Sequence, residues 1–447
     1  MDKRAFLKAS GALITGGVLS HLAAEDEQKS VRTNWAGNYQ YSARQLYVPK
    51  TAEEVQALIK RCHTIKALGA RHSFNAIADS RENQISLENL KQMTLDRASG
   101  TAIVGAGVRY GQLAPYLDKE GFALHNLASL PHVSVVGACA TATHGSGVKN
   151  GNLATAVSMI EMVNGNGETV VLSRGRDEHF PGVVVGLGAL GVVTKIGLAV
   201  QPRYEMRQFV YENLPLGQLE KHFDEIFSSG YSVSLFTNWQ NHRISQVWIK
   251  RRVDQNAAPE LGPELYGARR ATSNLHPIPG YSAENCTQQM GVAGPWFERL
   301  PHFRMNFTPS SGNELQTEYF VARNHGYEAI QAVERLRDQI TPHLFISELR
   351  AIEADDLWMS PCYKRSSMTI HFTWKPEWPA VKKVLPAIEE QLAPFDARPH
   401  WAKLFTMAPS RLQSLYPQFE NFRMMLKQFD PSGKFRNEFL DRNIYGL

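Results

Sequence analysis

Two short stretches far apart in the chain limit what it can fold into more than any other feature. They are Ala67-Leu68-Gly69-Ala70-Arg71-His72-Ser73-Phe74-Asn75 and Arg398-Pro399-His400-Trp401-Ala402-Lys403-Leu404-Phe405. In the first, the apolar run Ile65 to Leu68 reads as a strand, and Gly69-Ala70 lets the backbone turn tightly. Successive backbone N–H groups in such a turn form a nest for an anion such as a diphosphate. His72 follows at once, and a neutral imidazole is a competent nucleophile toward an activated carbon. An ordinary turn with a surface histidine fits the same residues, so this stretch alone leaves the two readings open.

A second glycine- and hydroxyl-rich region, Ala128 to Gly147, shifts the balance. It carries Ser129, Ser134, Gly137, Thr141, Ala142, Thr143 and His144, and its small side chains permit close approach to phosphates and ring edges. Two phosphate-cradling loops without a P-loop lysine suit FAD better than a nucleoside triphosphate. A third stretch, Gly186-Leu187-Gly188-Ala189-Leu190-Gly191, matches G-x-G-x-x-G and follows Val183-Val184-Val185, which reads as a strand. The nicotinamide fingerprint needs a helix next, because the pyrophosphate rests on that helix's N-terminus. Val192-Val193-Thr194-Lys195-Ile196 is β-branched and makes poor helix, so the nicotinamide reading is rejected.

Periodicity up to Pro202 alternates short elements with glycine turns. Thr51 to Thr64 and Tyr110 to Lys119 are helical, and Ala102 to Val104, Thr169 to Leu172 and Gly191 to Val200 are strand-like. After Pro202 the strands are longer: Ser232 to Trp239, Gln246 to Lys250, Leu315 to Ala322, Leu344 to Ala351 and Met368 to Trp374. Helical segments follow at Tyr327 to Ile340, Ala380 to Leu392 and Arg411 to Gln428, while Pro259 to Pro279 reads as a long surface loop. The expected fold class is α+β. A cofactor domain occupies residues 31–203 and a second domain with a largely antiparallel sheet occupies 204–447. The segment from about 405 to 447 is expected to return to the first domain.

The N-terminus stands apart. Lys3-Arg4-Ala5-Phe6-Leu7-Lys8 precedes an apolar stretch, Ala9 to Ala24, too short and glycine-rich to span a membrane. Residues 1–30 are read as a twin-arginine-like export signal, with Lys3 in place of the first arginine. The alternative is an N-terminal extension of a cytoplasmic protein. The net charge of +5 is spread thinly, and the one basic cluster, Lys250-Arg251-Arg252, reads as the solvated end of a strand, so no nucleic-acid surface is expected. Cys62, Cys139, Cys286 and Cys362 lack C-x-x-C spacing, which argues against a zinc or iron–sulfur site; no metal is expected.

Strand alternation points to a second functional surface. In Leu344 to Ala351, Ile346, Glu348 and Arg350 share a face, and in Met368 to Trp374, Thr369, His371 and Thr373 do. The opposite face of the second strand is apolar: Met368, Ile370, Phe372 and Trp374. If the strands are neighbours, Glu348, Arg350, His371 and Thr373 come together. A solvent-wetted sheet face has the same alternation. The mixture of carboxylate, guanidinium, imidazole and hydroxyl suits a polyol, whose hydroxyls both give and take hydrogen bonds.

Together these stretches resemble the flavin oxidases of the vanillyl-alcohol-oxidase superfamily, with a PCMH-type FAD-binding domain, and within it the alditol (xylitol) oxidases. The resemblance also rests on Thr33-Asn34-Trp35-Ala36-Gly37-Asn38, Asn285-Cys286-Thr287, Gly294-Pro295-Trp296, Phe307-Thr308-Pro309-Ser310-Ser311-Gly312 and Asp430-Pro431-Ser432-Gly433-Lys434-Phe435. It implies FAD bound covalently through His72, with Ala67, Leu68, Gly69, Ala70, Arg71, Ser73, Ser129, Ser134, Gly137, Thr141, Ala142, Thr143, His144, Val192 and His400 in contact with the cofactor. It implies Ser129, Glu348, Arg350, Thr373 and Lys403 at the substrate, with Lys403, Arg350 and Glu348 catalytic. Two departures are Arg71, where many relatives have glycine, and Ala402, where alditol oxidases often have glycine.

The resulting expectation is a monomeric flavoprotein oxidase. It would convert the terminal primary alcohol of xylitol or sorbitol to the aldehyde and reduce oxygen to hydrogen peroxide. The nearest alternative is an aldonolactone (gulono- or D-arabinono-1,4-lactone) oxidase or dehydrogenase. A periplasmic sugar-binding protein without catalysis is a remote one, since it leaves the loops at His72 and Ser129 unexplained.

Overall fold

The strands before Tyr204 are short and fall into small sheets; those after it build one large sheet. The computed structural model describes residues 32–254, 261–307 and 313–446, so the export-signal reading of residues 1–30 lies outside the described residues, as do Thr308 to Gly312. Thr33–Leu447 form one compact unit. Among the described residues no helix is long and apolar enough to cross a membrane.

Gln45–Tyr47, Asn83–Ser86 and Ile65–Leu68 pair in parallel, with Asn83–Ser86 in the middle. The helix Ala52–Arg61 covers this sheet. Thr51 caps it by accepting the Glu54 N–H, and acidic residues in its first turn and basic ones in its last suit its dipole. Its Val55, Leu58 and Ile59 pack against Ile65 and Ile85. A five-stranded antiparallel sheet runs in the order Met93–Asp96, Thr101–Gly105, Val192–Ala199, Val157–Val163, Thr169–Ser173.

The large sheet is ten-stranded and antiparallel. Its central order is Glu205–Pro215, Arg243–Arg252, Ser232–Thr237, Leu344–Ile352, Ser367–Trp374, Leu315–Ala322, Arg398–Pro399. Gln218–Phe227, Gly326–Glu334 and Trp378–Leu392 bury Leu219, Ile226, Ile330, Val333, Leu385 and Ile388 against one face. That face consists of Leu235, Val247, Leu349, Ile370, Phe372 and Trp374. The opposite face is free of helices from this set and carries the charges described below. The C-terminal segment reaches the small parallel sheet: Ile65 N–H donates to Lys434 O at 2.9 Å, and Asn437 Nδ2 donates to the carbonyls of Ala76, Ile77 and Asp79 at 2.8–3.1 Å.

Several local expectations are corrected. Phe180–Val184 is a helix, so Val183 to Val185 do not form a strand; Val192–Ala199 is a strand, as the rejection of a nicotinamide fold requires. Tyr327 to Ile340 divides into Gly326–Glu334 and Arg337–Ile340. Arg411 to Gln428 divides into Pro409–Ser414 and Phe419–Phe429, around Pro417, which has no N–H to continue a helix. The loop expected at Pro259 to Pro279 contains the small strands Glu264–Leu265 and Ala268–Arg270 and reaches inward at its end. Lys250 is not a solvated terminus: it is 1% exposed, because alternation turns it with Trp248 toward the charged face of the sheet.

Candidate active site

A cavity of about 530 Å3 runs between the two glycine-rich loops and the charged sheet face. Of the residues the resemblance assigns to cofactor and substrate, its wall includes Ala67, Leu68, Gly69, Ala70, Arg71, His72, Ser73, Ser129, Ser134, Gly137, Thr141, Thr143, His144, Glu348, Arg350, Thr373, His400 and Lys403. Ala142 and Val192 do not line it. Ala142 is 1% exposed and packed in the core, and the Val192 side chain is buried with Val55, Ile85 and Phe435; its neighbours Gly191 and Val193 face the cavity instead.

The first loop passes close to the second. A Cβ on Gly69 would lie 2.7 Å from Ser134 Oγ, and one on Gly137 would lie 2.6 Å from it, so neither position tolerates a side chain without movement. Ala70 N–H donates to Ser134 Oγ at 3.4 Å. Arg71 has φ +64°, the left-handed conformation that only glycine adopts without strain. His72 sits against the rings of Trp35 and His132, at centroid distances of 4.7 and 4.3 Å. Burial, then His132, Arg109 and Arg71, push its pKa down to about 3, so its imidazole is neutral. The same loop is tied to the stretch Arg398 to Phe405. Phe74 N–H donates to Ala402 O at 2.7 Å, and Asn75 Nδ2 donates to Trp401 O and Lys403 O at 2.9 and 2.8 Å.

On the sheet, Glu348 pairs with His371 and Ile346 with Thr373, so the two strands are neighbours and the polar face forms as expected. One residue the sequence reading missed lies at its centre. Glu318, on Leu315–Ala322, is in register with His371 on the other side. It holds Lys403 Nζ at 2.6 Å, an Arg350 guanidinium nitrogen at 2.7 Å and His144 Nε2 at 3.2 Å, with its side chain 1% exposed. Burial alone would raise its carboxyl; Lys403, His144 and Arg350 more than reverse that and hold it well below the usual range. Glu348 is likewise held down against burial by Arg350 and His302, while burial lowers Lys403 and Glu318 offsets this in part. The available signal was a carboxylate inside a strand whose second half, Tyr319 to Ala322, is apolar, since a buried carboxylate seldom goes unpaired. His144, Glu318 and His400 have ligand-type atoms within 4.8 Å of one another. Arg350 and Lys403 both pair with Glu318, two cations to one carboxylate, which disfavours a further cation there.

His371 is buried and neither ring nitrogen has a partner. Burial, then Lys403, holds it well below its usual pKa, so it is neutral. All four cysteines are free and buried.

The geometry agrees with the proteins this chain resembles. A family profile described as D-arabinono-1,4-lactone oxidase matches residues 309–443, and one described as FAD binding domain matches residues 43–173. An alditol oxidase of Streptomyces sp. is 47% identical over 412 residues, which cover 91% of this chain and 97% of its own. An L-gulono-1,4-lactone dehydrogenase of Mycobacterium tuberculosis is 25% identical, over 92% of this chain and 98% of its own. Cholesterol oxidase from B. sterolicum shares the fold, with a TM-score of 0.74 over 93% of this chain and 96% of its own at 13% identity. The glycines at Gly69 and Gly137 and the hydroxyls beside them fit a flavin dinucleotide, and the profile match assigns FAD to this half of the chain.

Proposed function

Because the chain belongs to the FAD-dependent alditol oxidase family, we propose that it oxidises the terminal primary alcohol of a sugar alcohol such as xylitol or sorbitol to the aldehyde. The observation that carries this reading is the buried face of Glu318, Glu348, Arg350, His371, Thr373 and Lys403 in the same cavity as the glycine cradle. FAD, held by the stretches Gly69 to Ser73 and Ser134 to His144, would supply a two-electron acceptor for the alcohol, with dioxygen as the terminal oxidant and hydrogen peroxide as its product.

The chain's own residues do the rest. Glu348 and Thr373 accept and exchange hydrogen bonds with substrate hydroxyls. His371, neutral and without a partner, is the acceptor for the hydroxyl proton. Lys403 and Arg350, already fixed by Glu318, meet the negative charge that develops on the substrate oxygen and cofactor without having to reorganise. Exclusion of water by the buried walls strengthens each of these interactions.

The reading includes a covalent bond from His72 to the flavin, supported by its neutral imidazole at the cradle. Acid precipitation tests it: wild-type protein keeps its yellow colour in the pellet, and His72→Ala releases it to the supernatant. A colourless wild-type pellet would remove His72 from that role. The profile match over residues 309–443 favours a lactone as the second candidate substrate. Peroxide release is therefore measured with xylitol, sorbitol and gulono-1,4-lactone in parallel. Peroxide with the polyols is expected, and peroxide with the lactone alone overturns the assignment.

A further inference from the structure

Behind Glu348, on the side away from Glu318, lie two residues that the proposed reaction does not use. Lys250, on Arg243–Arg252, is 1% exposed. Its ammonium donates to Leu300 O, to Pro301 O at 3.2 Å and to His302 Nδ1 at 3.2 Å, so each of its three protons has an acceptor. Nδ1 accepts, so the ring proton of neutral His302 sits on Nε2, which donates to Glu348 Oε1 at 2.8 Å. Burial and then Lys250 push the imidazole down to about 4, which keeps it neutral at ordinary pH. Phe236 and Trp248 hold the ring edge-on, at centroid distances of 5.4 and 5.2 Å. Thr287 N–H donates to His302 O at 2.9 Å and fixes its backbone.

We propose that Lys250 and His302 are positioning residues forming a one-way relay to the Glu348 carboxylate: Lys250 sets the tautomer of His302, and His302 holds one oxygen of Glu348. This inference rests on the alditol-oxidase reading for its kinetic consequences, but the tautomer itself does not. The ionised Glu348 favours the Nε2–H tautomer from one side, and Lys250 on Nδ1 excludes from the other side the tautomer that would turn a lone pair toward the carboxylate. With the relay in place, Oε1 is occupied and the other oxygen is the one left to grip a substrate hydroxyl. The groups facing Lys250 are His302, Glu348, Cys286 and Arg350, and those facing His302 are Lys250, Glu348 and Arg350. Burial pushes Lys250 down to about 7. On losing its proton it keeps two N–H donors for three acceptors, so one of the three is abandoned and the relay slackens.

Three variants test this: Lys250→Met, His302→Leu and His302→Gln. All are expected to keep bound FAD. The glutamine has an N–H for Glu348 and an oxygen for Lys250. Lys250→Met and His302→Leu should lower kcat/KM for xylitol roughly 10- to 100-fold, mostly through KM, as loss of a charge-assisted hydrogen bond does. His302→Gln should recover most of that loss. The wild type should lose kcat/KM as pH rises through about 7, a limb that Lys250→Met lacks. Nitrogen-15 histidine NMR, with the His302 signal assigned by its disappearance in His302→Gln, should show the Nε2–H tautomer in the wild type and a mixture in Lys250→Met. Wild-type kcat/KM in Lys250→Met, no recovery by His302→Gln, or an Nδ1–H tautomer in the wild type would each overturn the relay. A wild type inactive on polyols overturns the functional reading instead, and the NMR result then decides the relay by itself.

Discussion

The cofactor cradle and the charged sheet face are built in opposite ways. The cradle is made of backbone: Gly69 on the first loop and Gly137 in the helix Val135–Ala140 leave out side chains and so pack directly on Ser134 Oγ. The sheet face is made of side chains whose charges balance, with Glu318, Glu348 and Arg350 on strands and Lys403 in the turn after Arg398–Pro399. A cradle of this kind fails by collision and a charged face fails by imbalance. The two regions should therefore respond differently to substitution.

The largest expected effect is on the charged face. Lys403→Met should slow anaerobic flavin reduction by the polyol on the order of 100- to 1,000-fold, the scale of one lost charge-stabilising donor, while FAD stays bound. Reduction at the wild-type rate would separate Lys403 from the chemistry. Glu318→Ala comes next: it strands two buried cations, and denaturant unfolding should show a loss of about 3–5 kcal/mol. A loss below about 1 kcal/mol would mean that Lys403 and Arg350 find other partners.

Acid should separate buried histidines from buried carboxylates in the apoprotein, with His302 and His371 of the charged face titrating alongside the histidines of the cradle. Burial lowers His72 from 6.5 to about 3 and His132 from 6.5 to about 4. Unfolded chains bind those protons more tightly, so the histidines' contribution is complete above about 6.5 and drains away as pH falls toward 3. Glu318 and Glu348 lie below their ordinary 4.5, so their contribution is complete above 4.5 and is lost only as pH falls further. Melting temperatures between pH 7 and 3 should show two successive declines, and a single decline below 4.5 would deny the histidine stage. The smallest effect is at Arg71. Arg71→Gly relieves the left-handed backbone and should stabilise by about 1 kcal/mol or less, visible as a small rise in denaturation midpoint.

The same contrast explains what the sequence disclosed. A backbone site leaves its requirements in one continuous run, and the stretches at Gly69 and Ser134 could be read directly. Glu348, Arg350, His371 and Thr373 were legible because alternation along two strands put them on one face. Glu318 was not, because its strand reads as an ordinary one until its neighbour in the sheet is known. Lys250 was misread because it heads a basic triplet that looks solvated, while Arg251 and Arg252 after it are half-buried and reach Ser229 O and Asp254. His302 follows a proline in a segment without regular structure, where no period marks its direction. The long strand Glu205–Pro215 escaped notice because Glu205, Arg207, Gln208 and Glu212 interrupt its apolar residues.

The hydrogen bonds from Phe74 and Asn75 to the backbone of Trp401, Ala402 and Lys403 have a consequence for biosynthesis. They join parts of the chain that leave the ribosome far apart in time, so the wall of the cavity is finished only near the end of translation. Contacts of such long sequence separation form late and slowly. Capture of the cofactor is thus a closing event in the life of the nascent chain, and a chain cut short of Arg398 lacks the backbone that secures the turn after His72.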